Sequence, residues 1–359
     1  MRKYRTAACV LIVFFMVAFI FFTASSPEAK LILFVISLLL LLVLNRGNAL
    51  YTKAARIIAK NNPAEREKAV MMMEKALQLG CSESNTVSAA TFVLQHGNIE
   101  TAGKGLEEAS RSSFRDTRGK AKAALSMYYW IKGDVNKALD LAEDAKREKN
   151  KDAALYVNLC TYYLAKNDKK KYRATLAEAV QNKIINASLV DIQAIYFILS
   201  GEYEKAGATL ERLMQQVKPN TSAPYIHYAM VYLRYGHVKD AVSMLKEALE
   251  KPFSNTSLLS IDEIESMVDG LENPETRLMW VDAVNCNRMM AVRPGLPKLK
   301  NAQYGKSSDD VLPGYPVLPD FTDPAILSIR EEKIDEYDSR EIDTDLTKDD
   351  EAWLKKHDH

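Results

Sequence analysis

The chain is poor in the residues that usually carry chemistry. It holds four cysteines in 359 residues, Cys9, Cys81, Cys160 and Cys286. None belongs to a C-x-x-C pair and no histidine cluster accompanies them, which argues against a disulfide framework and a zinc site. The five histidines form no H-E-x-x-H, and no G-x-S-x-G occurs. YGKSS at 304–308 has Lys300 where a phosphate loop needs its first glycine, and it sits among prolines. GKG at 103–105 lies within a helical pattern. Net charge is +1, so no global charge favours nucleic acid. These absences predict no cofactor, no metal, no nucleic-acid partner and no small-molecule substrate. They predict a chain that is not an enzyme; an enzyme with an unfamiliar site is the alternative from another class.

Two apolar runs are present. Residues 6–27 carry no charge, which is long enough for a bilayer core needing roughly 20 residues. LILFVISLLLLLVL, Leu31 to Leu44, has only 14 residues and is short for a span of about 30 Å, though Lys30 and Arg46 can snorkel. A cleavable signal peptide is the other reading of the first run, but that run exceeds a usual apolar core of about 7–15 residues. Arg2, Lys3 and Arg5 precede the first run, and Arg46, Lys53, Arg56 and Lys60 follow the second. Positive flanks on both sides predict a two-span hairpin in the inner (cytoplasmic) membrane, with both ends cytoplasmic and Pro27 helping the chain turn. Lipid would contact residues 7–44.

Beyond residue 48 the chain repeats itself. Ala69, Ala102, Ala138, Tyr172, Ala206 and Ala241 follow one another at steps of 33, 36, 34, 34 and 35 residues. Seven residues after each stand Ala76, Ala109, Ala145, Ala179, Leu213 and Ala248, with Met73, Leu106, Ala142, Leu176, Leu210 and Leu245 between. Steps of four and three mark one face of a helix, and small side chains there let a neighbour approach closely. Five residues before the anchors stand Gly97, Gly133, Asn167, Gly201 and Gly236, residues that tolerate positive φ and so end one helix before the next. Cys160 takes a small-residue position, which predicts a buried structural thiol.

These residues resemble the tetratricopeptide repeat (TPR), of the membrane-anchored bacterial kind. The period matches, as do the small residues Ser126, Cys160, Ala194 and Ala229 and the aromatics Tyr129, Tyr163, Phe197 and Tyr232. The family tryptophan is absent, its proline is mostly missing, and Tyr172 replaces an alanine. The resemblance implies an all-α TPR-type α-solenoid of five or six helix pairs over 49–255, after a transmembrane hairpin at 1–48. It also implies a concave groove that binds a protein segment. The family's groove positions fall on Lys120, Ala123, Met127, Trp130, Val157, Thr161, Asp191, Ile226, Met230 and Arg234, with Asn158 and His227 adjacent. That set is mostly apolar and lacks the clustered cations that clamp a free carboxylate. The expected role is a membrane-tethered scaffold or adaptor with protein partners at the membrane surface; a regulatory subunit of a membrane or envelope-assembly enzyme is the alternative.

SIDEIESMVDGLE has capping-box spacing from Ser260 to Glu263, and NPETRLMW suggests Asn273 as N-cap with Pro274 the first helical residue. Residues 256–292 are therefore expected to form terminal helices that close the stack, with Met279 and Trp280 as core contacts. Six prolines between 294 and 324, then twelve acidic and six basic side chains over 330–359, predict a largely disordered tail from 293. A short helix near DDEAWLKK is expected, and Tyr315, Val317, Leu318 and Phe321 form a candidate linear motif. The tail folding back into the groove is a further possibility. The basic KNDKKKYR at 166–173 is expected on an interhelical turn.

Overall fold

A computed structural model describes residues 26–60 and 65–294, with positions 15, 18, 19 and 22 of the first apolar run. The rest of that run, the proline-rich segment and the acidic tail, with their expected disorder, helix and linear motif, lie outside the described residues. Every described regular element is helical. In chain order the helices are α1 (Pro27–Leu44), α2 (Arg46–Ala59), α3 (Arg66–Leu79), α4 (Glu83–His96), α5 (Ile99–Ala109), α6 (Arg115–Ile131), α7 (Val135–Arg147) and α8 (Ala153–Ala165). They continue as α9 (Lys169–Gln181), α10 (Ala187–Ser200), α11 (Tyr203–Gln216), α12 (Ala223–Arg234), α13 (Val238–Leu249), α14 (Ile261–Glu272) and α15 (Arg277–Cys286). A 3-10 segment, Arg288–Val292, follows.

The chain divides into two compact units at Tyr128 and Tyr129, inside α6. In the first, α2 packs on α3, α3 on α4 and α4 on α5, and α2 also touches α4. In the second, α7 packs on α8 and α8 on α9, and α10 through α15 pack in succession. Helices α8, α10 and α12 touch as an inner layer. This is the order of stacked helix pairs.

The alanine register explains the stacking. Ala69, Ala102, Ala138, Ala206 and Ala241 are wholly buried, and Tyr172 is 1 % exposed. The larger residues between the two alanine sets are buried as well, from Met73 to Leu245. Each fully buried Leu contributes about 1.5–3 kcal/mol, and the small neighbours set how near the next helix can come. In three pairs the second helix also starts on a side-chain cap, while those starting after Glu65, Glu202 and His237 have none. Asn98, Asp134 and Asp168 accept from the backbone N–H of Thr101, Lys137 and Lys171.

The glycine reading needs one correction. Gly133, Gly201 and Gly236 have φ near +75° and Asn167 has φ 55°, as the turn requires. Gly97 instead is extended, with φ −138°. It is glycine for space: a Cβ would lie 2.6 Å from Glu74 Oε1 and 2.8 Å from Val70 Cγ1.

Two other local expectations shift. Pro27 is the first residue of α1, which its fixed φ permits, and the 14-residue apolar run lies within this 18-residue helix; the turn expected at Pro27 rests on residues outside the described ones. Asn273 caps the end of α14, and its side chain accepts from Glu275 N–H, which holds Pro274 in a turn. Thr276 Oγ1 and the Arg277 guanidinium then bond to carbonyls at the end of α14, so α15 starts at Arg277. The Ser260–Glu263 capping box is present, and Trp280 is buried while Met279 is half-buried. Of the basic string, only 166–168 is turn. Lys169 is 8 % exposed against Ser200, and Arg173 bonds the Tyr196 hydroxyl.

No single described helix is long and apolar enough to cross a membrane. Lys30–Leu44 and Arg46–Ala59, bent by 53°, pass that test together by length and composition. Helix α2 packs closely on the end of α3: a Cβ on Gly47 would lie 2.1 Å from the Gly80 carbonyl oxygen. Asn48 Oδ1 accepts from Ser82 N–H at 2.9 Å and from Asn85 Nδ2 at 3.0 Å.

Candidate functional site

The sequence-derived groove residues fall in both units. In the first, Lys120 is exposed and pairs with Asp116 at 3.0 Å, one turn back on α6. Ala123 is buried and Met127 half-buried. The others belong to the second unit. Trp130 stacks on Tyr162 at 5.0 Å. Val157 and Thr161 are half-buried on α8, where the Thr161 hydroxyl donates to the Val157 carbonyl. Asn158 is 7 % exposed. Arg234 lies over the Tyr203 ring.

The structure brings together Asp191, Ile226, His227 and Met230, on α10 and α12, and buries all four. What covers this inner face is the chain's own Arg288–Val292 segment, which packs on both α8 and α10. Met290, Ala291 and Val292 are 1–2 % exposed. His227 fixes the segment: its Nε2 is 3.0 Å from the Ala291 carbonyl oxygen and its Nδ1 is 2.7 Å from Asp191 Oδ1. Both ring nitrogens therefore face acceptors.

Two arginines bracket the segment. Arg293 meets Glu263 in a two-pronged bond of 2.9 and 3.3 Å, with both side chains under 10 % exposed. Glu263 is placed for this because its backbone and side chain already form the Ser260 capping box. At the other end, Arg288 lies over the Tyr203 ring, 5.6 Å from its centre. Helix α15 delivers the segment by packing on α12.

Arg288, Met290, Ala291, Arg293 and Glu263 were not among the expected groove residues. Ala291 and His227 are 64 residues apart, beyond any local pattern. One signal does lie within α10, whose residues Leu189–Ile198 are all buried. A helix with one face to solvent does not bury ten residues in a row, so an apolar run of this kind calls for another layer.

Burial pushes the Cys160 thiol up to about 12, far from a thiolate, in keeping with its small-residue position. Burial, then the Glu178 carboxylate that its hydroxyl bonds, pushes Tyr156 up to about 12. Among the described residues no group of three His, Cys, Asp or Glu side chains could hold a metal.

Among solved structures the chain is similar to the crystal structure of a thermophilic TPR protein of Thermus thermophilus. Identity is 22 %, the match covers 47 % of this chain and 91 % of that one, and the TM-score is 0.39. No protein-family model and no curated protein matches. The helix pairs themselves define an all-α fold of successive packed helix pairs.

Proposed function

We propose that the chain is a non-catalytic, membrane-tethered scaffold of the bacterial cytoplasmic membrane. Its repeats lie on the cytoplasmic side and hold a segment of another protein. The observation that carries the tether is α1. Its eleven large apolar residues from Leu31 through Val43 that have a described side chain are 37–64 % exposed, on every side of the helix. Water would penalise that surface at about 25 cal/mol per Å², and lipid would not. At 18 residues α1 is about 27 Å long, near the ~30 Å of a hydrocarbon core, with Lys30 and Arg46 able to reach the headgroups. The basic flanks favour a cytoplasmic repeat domain. Only Asn45 separates α1 from α2, the first helix of the first pair.

The test has two readouts. The full chain should stay with membranes through an alkaline carbonate wash, and a chain lacking residues 1–44 should not. Photo-crosslinkers at the half-buried Met127 and Val157 should each capture protein partners at the membrane. A full chain that washes off overturns the tether, and two silent crosslinkers overturn the scaffold.

A further inference from the structure

We propose that residues 288–293 are a displaceable internal ligand, a strap that occupies the inner face of α8, α10 and α12 and is exchanged for a partner segment of like chemistry. That partner chemistry is a short stretch of apolar residues between two arginines, with a main-chain carbonyl turned to His227. The inference rests on the scaffold reading above and adds which segment chemistry the face takes and what holds the face closed.

Four observations carry it. First, the strap is buried like core yet is not part of a helix pair; it is five residues of 3-10 helix laid across two inner helices. Second, His227 meets the segment at a main-chain atom, the backbone oxygen of Ala291, 3.0 Å from its Nε2. Such a bond reads the main chain, so any segment that offers a carbonyl there can replace it. Third, the ends are held by side chains that a partner can imitate: Arg293 on the Glu263 carboxylate and Arg288 over the Tyr203 ring. Gly201, with φ +78°, leaves room for this second arginine; a Cβ there would lie 3.3 Å from Arg288 Nη1. Fourth, Asp191 and His227 form a polar pair inside an apolar face, and the pair is complete only while a carbonyl is supplied.

An internal ligand competes at a high effective concentration, so it lowers the apparent affinity for partners by the fraction of time it is seated. Loosening the strap should therefore strengthen external binding. The reporter is a fluorescent peptide of this chain's residues 287–295, added to the full chain in detergent, wild type and Arg293→Glu. The substitution sets two carboxylates against each other at Glu263. The peptide should bind the variant at least about tenfold more tightly than the wild type. Hydrogen exchange should meanwhile become faster at 288–292 and stay unchanged in α8 and α10. Met290→Asp, which removes an apolar anchor without touching Glu263, should act in the same direction.

Three results would overturn the strap. One is faster exchange at 288–292 with no gain in peptide binding. Another is exchange at 288–292 that stays as slow as in α10 in both variants. The third is global unfolding of both variants, which would make the segment a permanent core element. None of these touches the carbonate wash or the Met127 and Val157 crosslinks. Conversely, silent crosslinks beside tight peptide binding would sink the scaffold reading and leave the strap standing.

Discussion

Gly270 in α14 is required by the indole of Trp280. A Cβ at 270 would lie 1.8 Å from Trp280 Nε1 and 2.3 Å from two ring carbons. Real contacts need about 3.4 Å or more, so in Gly270→Ala the buried ring has to leave its seat. Two effects then oppose each other. Alanine favours the helix over glycine by about 1 kcal/mol. Overpacking costs about 1–3 kcal/mol, and part of the ~3–5 kcal/mol attached to a buried tryptophan is lost as the ring moves out. The clash wins, and Gly270→Ala should destabilise by about 1–3 kcal/mol net. At about 2–4 °C per kcal/mol for a unit of roughly 150–250 residues, Tm falls by several degrees. In a Trp280→Ala background the clash is absent and only the helix preference remains. There the same substitution should stabilise by up to about 1 kcal/mol, a change of sign. The assay is thermal unfolding of wild type, both single variants and the double variant by circular dichroism. Equal destabilisation in both backgrounds would refute the reasoning. Because α15 carries the strap, Gly270→Ala should also speed hydrogen exchange at 288–293.

Two further outcomes are expected. Among the described residues the buried Tyr172 hydroxyl has no hydrogen-bond partner, while its ring stacks on Tyr196 at 4.9 Å. Tyr172→Phe keeps the ring and removes the orphan group, so urea denaturation should show a gain of about 1 kcal/mol; a loss of that size would mean the hydroxyl is bonded. For His96, burial first and then Arg66 lower the ring's pKa from 6.5 to about 4. The fold therefore holds the neutral ring while the unfolded chain takes up a proton below pH 6.5. The stability this ring allows is whole above pH 6.5 and is lost as pH falls towards 4. The ring is partly exposed, which discounts the effect to on the order of 1–2 kcal/mol. In His96→Gln the stability lost between pH 6.5 and 4 should shrink by that amount; unchanged loss would count against the shift.

The parts of the fold that could be read ahead were those fixed by contacts between adjacent helices. A buried alanine at 69, 102, 138, 206 and 241 is a size rule that repeats with the stack, so it shows as a period. The caps Asn98, Asp134 and Asp168 follow Gly97, Gly133 and Asn167 directly, and this pairing was a start signal open to reading. Gly97 marks where the period stops informing. Position within the repeat predicted a positive φ, but the side chains of Val70 and Glu74 decide the residue, and they come from the preceding helix pair.

Transferring family positions selected Asp191, Ile226 and Met230, with His227 adjacent, and all four are buried on α10 and α12. It implied an open groove, because an inner helix in a simple stack shows one side to solvent. Helix α10 contradicts that premise by its composition. In ASLVDIQAIYFILS the only polar residues between Leu189 and Ile198 are Asp191 and Gln193, with a tyrosine hydroxyl at 196. Two packed neighbours cannot cover a helix that is apolar around its whole girth, so something must lie on its third side. A buried Asp on that side needs a partner, and His227 one repeat later supplies it; the histidine's other ring nitrogen lies 3.0 Å from a backbone carbonyl oxygen. The chain of requirements ends at a backbone carbonyl, which no residue type announces. Any segment could meet the last requirement, so the sequence specifies a site for a main chain without specifying whose. In this structure the main chain is the protein's own at Ala291.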